Sequence, residues 1–251
     1  FSASGNNLVI DFQNNPDNQI ILKDHFLNNS SVEILQFFDG STIDVSDIEV
    51  PRNIIGSDGD DYLQGGSFAD TIQGLQGNDY MSGLDGSDTY IYNLGDGNDT
   101  IYEQDYQNNK IVFGEGISKE DIILSSDDGY RLLINFAGNV GQINIDGHFS
   151  DIGVGIKTLE FSDGRTIDLT DVDAFTITQN GTDEDEYFDN TFYDNIINAG
   201  DGNDEVGIYN SGDTQIATGN GKDIIFVGKV AGQTTIISDF SLNDKINLFD
   251  F

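Results

Sequence analysis

Five aspartates in one glycine-rich stretch recur at a nearly constant interval. Asp61, Asp70, Asp79 and Asp88 are nine residues apart, and Asp99 follows after a two-residue insertion. Carboxylate and carbonyl oxygens are the ligands that hard divalent cations such as Ca²⁺ prefer. A series of single carboxylates at a fixed spacing therefore predicts repeated cation binding.

The nonapeptide that carries each aspartate predicts one tight turn and one short strand. A six-residue half rich in Gly and Asp precedes a short half whose second member is large and apolar. Glycine permits positive φ and close backbone approach, and the apolar residue is expected to point inward. Two such units complete one coil of a parallel solenoid, so turns two units apart lie roughly 4.8 Å from each other. Asp61 would then lie over Asp79, and their repulsion calls for a cation between them. The inward residues of the five units are Leu63, Ile72, Met81, Tyr90 and Ile101.

The composition agrees with a cation as the missing counter-charge. The chain of 251 residues has a formal net charge of −35, which repels nucleic acid and anionic membrane surfaces. Its apolar fraction of 37% is too high for a disordered acidic tail. The absence of Cys excludes disulfides and thiolate metal sites, and neither an apolar run near twenty residues nor a signal peptide is present. Because the sequence starts at Phe1 in the middle of a repeat unit, we expect this chain to be a segment of a longer protein.

These units resemble the glycine-rich nonapeptide repeats of RTX proteins, G-G-x-G-x-D-x-U-x. The resemblance implies an all-β fold with a parallel β-roll, several Ca²⁺ ions bound in the turns, and export by a type I secretion apparatus with folding outside the cell. Phe68 departs from the pattern at the second turn glycine of its unit. The implied calcium carboxylates are Asp61, Asp70, Asp79, Asp88, Asp99, Asp204 and Asp223, and the implied turn glycines are Gly56, Gly59, Gly74, Gly77, Gly83, Gly86, Gly95, Gly97, Gly200, Gly202, Gly219 and Gly221.

A larger repeat encloses the small one. Residues 19–26 resemble residues 142–149, and residues 32–48 resemble residues 156–172, at offsets of about 124 residues. The chain is thus two tandem copies of a unit of about 125 residues. Each copy has a β-rich segment, which resembles the haemolysin-type calcium-binding-related segment, followed by a glycine-rich array. The predicted divisions are capping segment 1–50, β-roll 51–103, capping segment 104–173 and degenerate β-roll 174–251.

The second array keeps the pattern less well than the first. Glu186, Asn195 and Thr214 occupy aspartate positions, whereas Asp204 and Asp223 keep both the carboxylate and the flanking glycines. We expect fewer or weaker calcium sites here, with Glu186 and Asn195 as weak candidates. The tail from residue 234 to residue 251 resembles the strand pair that commonly closes an RTX array. Small antiparallel strands are predicted to cap open sheet edges, and the long segment between the arrays favours two separate rolls.

Other kinds of site are poorly supported by the sequence. His25 and His148 lie at equivalent positions of the two copies and are expected to be structural or surface residues, because no HExxH and no Cys accompany them. Some carboxylate pair among 45 acidic residues will always resemble a glycosidase site, and no Gly-Lys-Ser or Gly-Lys-Thr phosphate loop occurs. We therefore expect no catalytic site in this segment.

The sequence predicts a calcium-binding module of a secreted protein that folds on calcium binding outside the cell and supports type I secretion. The alternative is a calcium-stiffened adhesin or a module that binds carbohydrate or protein, or a module appended to a toxin, protease, lipase or epimerase. An exposed aromatic patch would favour a recognition module. Its candidate residues are Tyr102, Tyr106, Tyr187, Phe188, Phe192 and Tyr193, which are equally explained as core or cap contacts.

Overall fold

The computed structural model describes residues 2–4, 7–12, 15–23, 34–45, 50–103, 105–138, 140–228 and 232–249. These residues form 25 strands and two short 3₁₀ helices, at Lys119–Asp121 and His148–Ser150, so the predicted all-β class is confirmed. In this part of the chain, no helix is long and apolar enough to span a membrane. The strands are β1 (Ser2–Ser4), β2 (Asn7–Phe12), β3 (Asn15–Leu22), β4 (Ile34–Gln36), β5 (Thr42–Asp44), β6 (Asn53–Ile55), β7 (Tyr62–Gly66), β8 (Thr71–Gln73), β9 (Tyr80–Leu84), β10 (Thr89–Tyr92), β11 (Asn98–Tyr102), β12 (Asn109–Phe113), β13 (Ile122–Ser125), β14 (Leu132–Phe136), β15 (Gln142–Asp146), β16 (Ile156–Glu160), β17 (Thr166–Asp168), β18 (Thr176–Asn180), β19 (Tyr187–Asp189), β20 (Asp194–Asn198), β21 (Glu205–Ile208), β22 (Thr214–Ala217), β23 (Ile224–Val227), β24 (Thr235–Ile237) and β25 (Lys245–Leu248).

The first glycine-rich array is a parallel β-roll with two walls. Strands β7, β9 and β11 form one wall, and β6, β8, β10 and β12 form the other, each paired in parallel with the strand one coil away. The predicted inward residues Ile72, Met81, Tyr90 and Ile101 are buried between the walls. Leu63, in the outermost coil, is only partly buried. The nine-residue period therefore produces the predicted coil.

The segment between the arrays has its own antiparallel strands. Strands β13, β14 and β15 form a meander, and β16 and β17 form a hairpin. Strand β15 also pairs in parallel with β11, and β16 pairs in parallel with β12. Both walls of the first roll thus continue onto strands of this segment, and the sheet edges at that end of the roll are covered.

The second array repeats the two-walled arrangement. Strands β18, β20, β22 and β24 pair in parallel on one side, and β19, β21, β23 and β25 on the other. One ten-stranded sheet runs through both arrays, because β13 pairs with β18 at Ser125 and Thr178. This differs from the preference for two separate rolls. Strand β13 is the outer strand of the meander, and β18 of the second array pairs with it. The walls on the opposite side of the two arrays belong to separate sheets.

The first copy of the β-rich segment lies at the N-terminal end of the chain. Strands β1, β2 and β3 form an antiparallel sheet, and β4 and β5 form a hairpin.

His25 lies outside the described residues. Its equivalent His148 is buried, stacks on Tyr193 and lies 3.1 Å from that residue's hydroxyl through Nε2. Burial lowers the pKa of His148 to about 4, as expected for a neutral core histidine.

Candidate metal centre

The repeat aspartates form two ladders along the edges of the first roll. On one edge, the backbone N–H of Asp61 donates to Oδ1 of Asp79 (2.9 Å), and the N–H of Asp79 donates to Oδ1 of Asp99 (3.0 Å). On the other edge, the N–H of Asp70 donates to Oδ1 of Asp88 (2.7 Å). Each carboxylate therefore uses one oxygen to tie its own turn to the preceding coil, as the predicted stacking requires.

The second oxygen of the inner aspartates has no protein partner. Oδ2 of Asp79 and Oδ2 of Asp88 are buried and accept no hydrogen bond. The outermost aspartates differ, because Oδ2 of Asp61 accepts from the N–H of Ser57 (2.5 Å) and Oδ2 of Asp70 from the N–H of Gly66 (2.6 Å). A buried, unpartnered carboxylate oxygen is costly, so the inner positions of each ladder require a cation or a proton.

The pKa values of the inner carboxyls reflect this burial. Desolvation raises the pKa of Asp79, and it raises the pKa of Asp88 to about 6 and that of Asp99 to about 7. Neighbouring carboxylates add to the effect, with Asp61 acting on Asp79 and Asp70 acting on Asp88. A bound cation would reverse this shift, because an opposite charge at short range favours the ionised carboxylate.

The turn glycines bring carbonyl oxygens to the same edges. A Cβ on Gly74 would collide with the carboxylate of Asp79, and a Cβ on Gly56 would collide with the carbonyl oxygen of Gly74. The fourth-position residue Gly77 lies in the left-handed region, with φ of 135°. Positive φ is also found at Gly86, Gly95, Gly97, Gly200, Gly202, Gly219 and Gly221, but not at Gly56, Gly59, Gly74 or Gly83. The glycines at the first position of the unit thus allow neighbouring groups to approach the backbone closely. Most glycines at later positions allow the positive φ that the turn requires. Phe68 keeps its carbonyl facing Gly86 despite the missing glycine.

One edge of the second array carries an equivalent ladder. The backbone N–H of Glu186 donates to Oδ1 of Asp204 (2.9 Å), that of Asp204 to Oδ1 of Asp223 (3.0 Å), and that of Asp223 to Oδ1 of Asp244 (3.2 Å). Oδ2 of Asp204 and Oδ2 of Asp223 are again buried without a partner, and desolvation raises the pKa of both carboxyls. Glu186 occupies the outermost position, where its Oε2 accepts from the N–H of Thr182 (2.7 Å).

On the opposite edge of the second array, Asn195 and Thr214 occupy the aspartate positions of the motif. Asn195 is buried, and its Oδ1 accepts from the N–H and hydroxyl of Thr191 (3.0 and 2.9 Å). Its Nδ2 donates to the carbonyl oxygens of Tyr193 (2.5 Å) and Thr191 (3.4 Å). Both polar atoms of Asn195 therefore have protein partners within its own turn.

The sequence reasoning missed three buried polar residues at the turn edges, Asn109, Asp244 and Glu103. Asn109 closes one ladder of the first roll by accepting the N–H of Asp88 at Oδ1 (2.8 Å), and Asp244 closes the ladder of the second roll. Both stand 21 residues after the aspartate that they serve, Asp88 and Asp223, and both precede Lys-Ile. That shared spacing was the available signal. Glu103 is also buried, and it accepts from the Tyr90 hydroxyl and from the N–H of Gly83.

The residues fit calcium better than a metal that needs a compact side-chain cluster. Among the described residues, no three His, Asp or Glu side chains gather closely enough to hold a metal by themselves. Each inner turn instead offers an unpartnered carboxylate oxygen next to turn carbonyls. Calcium takes six to eight oxygen ligands in flexible geometry and accepts backbone carbonyls.

Known proteins resemble parts of this chain. The family model "RTX calcium-binding nonapeptide repeat (4 copies)" matches residues 55–90. Iron-regulated protein FrpA of Neisseria meningitidis serogroup C is 31% identical over an alignment of 101 positions that covers 38% of this chain and 9% of that protein. The extracellular lipase LipA of Serratia marcescens is 19% identical in its crystal structure, with a TM-score of 0.21 over 80% of this chain and 32% of that one. That score is too low to support an argument. The chain spans a small part of the curated relative that it matches.

Proposed function

Because residues 55–90 are RTX calcium-binding nonapeptide repeats, which bind several Ca²⁺ ions, we propose that this chain is a non-catalytic module that folds when calcium binds outside the cell. One observation carries the proposal: four inner repeat aspartates each have a buried carboxylate oxygen without a partner, namely Asp79, Asp88, Asp204 and Asp223. These four are the proposed primary calcium ligands. Asp61, Asp70, Asp99 and Glu186 are proposed at the outer positions, and the turn glycines are proposed to contribute carbonyl oxygens.

The negative charges of the chain make its folding depend on calcium. With a formal net charge of −35 and repeat carboxylates stacked one coil apart, the roll opposes its own formation in a solution poor in calcium. Calcium, when bound, supplies the positive charge and the coordination that these oxygens lack. Because the sites exist only in the coiled form, the free energy of binding becomes free energy of folding.

This behaviour suits a protein that crosses a membrane unfolded. We propose that the module belongs to a longer secreted protein and leaves the cell through a type I apparatus before it folds. The millimolar calcium that extracellular sites are tuned to would then fold it outside and oppose its return.

Four of the six aromatic residues predicted for a recognition function make contacts within the protein that explain them. Phe188 and Tyr193 belong to the buried core. Tyr106 and Tyr187 are exposed, and their hydroxyls donate to Asp151 and Asp189 (both 2.7 Å). These contacts account for the residues without a ligand.

The test is a far-UV circular dichroism titration of the chain from chelator to about 10 mM CaCl₂, with MgCl₂ as the control. We expect a large, cooperative gain of β structure with calcium only. Replacing Asp79 and Asp88 together by Ala should raise the calcium midpoint by about tenfold or more, since each lost ligand weakens binding. The matched control replaces the exposed acids Glu115 and Asp173 by Ala and should leave the midpoint unchanged. A full β spectrum in chelator would refute the proposal.

A further inference from the structure

The turns of the two arrays adopt two conformations, which differ at the second residue of the turn. Eight turns keep the regular spacing and have Asp, Glu or Asn as their sixth residue. In four of them, the closed turns, the backbone N–H of the second residue donates to a side-chain oxygen of the sixth. In the other four, the open turns, the second residue is left-handed and one oxygen of the sixth has no partner. The closed turns are 56–61, 65–70, 181–186 and 190–195, and the open turns are 74–79, 83–88, 199–204 and 218–223.

The closed turns share one hydrogen bond and one place in the stack of coils. The N–H groups of Ser57, Gly66, Thr182 and Thr191 donate over 2.5, 2.6, 2.7 and 3.0 Å, and none of these residues has a positive φ. Each closed turn is the first on its edge of a roll, and each open turn follows another turn on its edge. The conformation therefore follows the place in the stack, since Gly66 is in a closed turn although glycine adopts either sign of φ.

The open turns withdraw the N–H group that would satisfy the carboxylate. Leu75 and Leu84 both have φ of 70°, and Gly200 and Gly219 have φ of 101° and 81°. Because the peptide unit is planar, a change from negative to positive φ at the second residue turns its N–H to another direction. The second carboxylate oxygen of the turn then stays free for a cation.

Two of the open turns have leucine at this position. The left-handed region brings Cβ close to the backbone, which costs free energy at residues other than Gly, Asn and Asp. Leu84 is 44% exposed, so burial of its side chain returns little of that cost. Among the described residues, Leu75 and Leu84 are the only residues other than glycine with positive φ. Both lie in turns with a proposed primary calcium ligand, and strain at such positions points to a function.

We propose that the second residue of each turn sets the calcium affinity of that turn, through the cost of holding the turn open. The inference rests on the calcium binding proposed above. Without an ion, an open turn has a buried carboxylate oxygen that nothing satisfies, whereas a closed turn satisfies it. Calcium coordinates this oxygen and so stabilises the open turn. Leu75 and Leu84 resist the left-handed region and weaken the sites of Asp79 and Asp88.

The open turns of the second array do not carry this cost. A Cβ at Gly200 would collide with the carbonyl oxygen of Thr182, and a Cβ at Gly219 with that of Gly200, so both positions also require glycine for space. The second array has fewer aspartates in its turns. Each of its sites at Asp204 and Asp223 is nevertheless expected to bind calcium more tightly than an inner site of the first array.

Substitutions at Leu84 test the proposal in the whole chain, read as the calcium midpoint in far-UV circular dichroism. Leu84→Gly should lower the midpoint by about threefold, because the relief of the left-handed cost exceeds the freedom that glycine gives the unfolded chain. Leu84→Asn should lower it by less. Leu84→Ala removes the side chain but keeps Cβ, so the midpoint should stay within about twofold. Leu84→Val, branched at Cβ, should raise it by about threefold.

The matched control is Leu94→Gly. Leu94 lies in the same array and is 51% exposed, but its φ is not positive. Glycine at this position only adds freedom to the unfolded chain, so the midpoint should rise by about twofold. The same substitution thus has opposite signs at Leu84 and Leu94. A change of the same sign at both positions would overturn the proposal.

Calcium release gives a second readout. Stopped-flow mixing of the calcium-loaded chain with a fluorescent chelator should show release about threefold slower for Leu84→Gly than for Leu84→Ala, because affinity differences between related complexes lie mostly in dissociation. Equal release rates would contradict the proposal. Leu75 lies on the other edge of the roll, so Leu75→Gly combined with Leu84→Gly should lower the midpoint by about tenfold.

Failure of this inference can be told apart from failure of the proposed function. A wild-type chain that shows no response to calcium would overturn the proposed function, and this inference with it. A wild-type chain that responds to calcium, together with equal midpoints for Leu84→Gly, Leu84→Ala and Leu84→Val, would overturn this inference alone.

Discussion

In the first glycine-rich array the aspartate positions of both turn edges hold aspartates, whereas in the second array one edge keeps acidic residues and the other, the amide edge, holds Asn195 and Thr214 at those positions. The acidic edges leave buried carboxylate oxygens without partners at Asp79, Asp88, Asp204 and Asp223. On the amide edge, Nδ2 of the buried Asn190 donates to the carbonyl oxygens of Asn210 (2.9 Å) and Gly212 (3.5 Å).

The difference follows from what each side chain can donate. A carboxylate is only an acceptor, so it cannot donate to turn carbonyls, and its unpartnered oxygen calls for a proton or a cation. The amide of asparagine supplies N–H donors to those carbonyls directly. Asn195 does so within its own turn, and Oδ1 of Asn190 also accepts from the N–H groups of Tyr209 and Asn210 (2.8 and 2.9 Å). The asparagines of this edge therefore provide hydrogen bonds between backbone groups that need no metal ion.

Calcium removal should produce the largest contrast between the arrays. In chelator, we expect residues 55–103 to exchange their amide hydrogens like an unfolded chain, because both edges lose their counter-charge. Residues 190–218 should keep protection at least about tenfold stronger through the amide edge. Hydrogen exchange read by mass spectrometry with and without CaCl₂ measures both segments in one sample. Equal loss of protection in the two segments would mean that the amide edge gives no stability without calcium.

Converting the amide tie into a carboxylate should make it depend on calcium. Asn195→Asp removes the donor to the Tyr193 carbonyl and buries a negative charge, so we expect a loss of about 3 kcal/mol in chelator. Urea unfolding in chelator and in CaCl₂ measures this loss, and calcium should restore part of it. The matched substitution Asn180→Asp, at an exposed residue, should have little effect. The idea would be wrong if Asn195→Asp were equally stable in both buffers.

The pH dependence of stability should reverse sign with calcium. Burial raises the pKa of Asp88 to about 6 and that of Asp99 to about 7, so the calcium-free folded form takes up protons that the unfolded chain does not. This contribution to stability is present at lower pH and is lost as the pH rises through 6 to 7. With calcium bound, protons compete with the ion, and acid destabilises instead. Far-UV circular dichroism in chelator at pH about 5 and about 8 shows whether the calcium-free chain gains β structure in acid, and urea midpoints in CaCl₂ at the same two pH values give the opposite slope.

The smallest expected effect is at the end of the second ladder. Asp244→Asn keeps the Oδ1 that accepts the Asp223 N–H, and Asn109 already plays this part in the first array. Asp244→Asn loses the bond that Oδ2 accepts from the N–H of Ser241 (2.5 Å), so we expect the calcium midpoint to rise by about threefold, less than for an inner aspartate. Asp223→Asn, at an inner position with an unpartnered oxygen, should raise the midpoint by about tenfold. Calorimetric titration of both variants ranks them, and equal effects would mean that the closing residue is also a calcium ligand.

Much of the fold was predictable because the repeat is local. The nine-residue interval predicted the walls of the first roll and the inward positions of Ile72, Met81 and Tyr90, since glycine turns and apolar strand positions act within one unit. The sharing of one sheet by both arrays was not predictable. It rests on a single pairing of Ser125 with Thr178, which are 53 positions apart in the chain. No local pattern specifies which edge of a meander a distant strand will join.

The repeat, the charge that demands a counter-ion and the duplication of the whole unit follow from residue type and spacing alone. Which carboxylate oxygens lack a partner follows from how the coils stack. Asp61 and Asp79 have the same place in the motif, yet stacking leaves Asp61 on the outermost coil with a donor from its own turn and Asp79 inside without one. Burial and hydrogen-bond satisfaction are properties of the stack of coils, and a single repeat does not contain them.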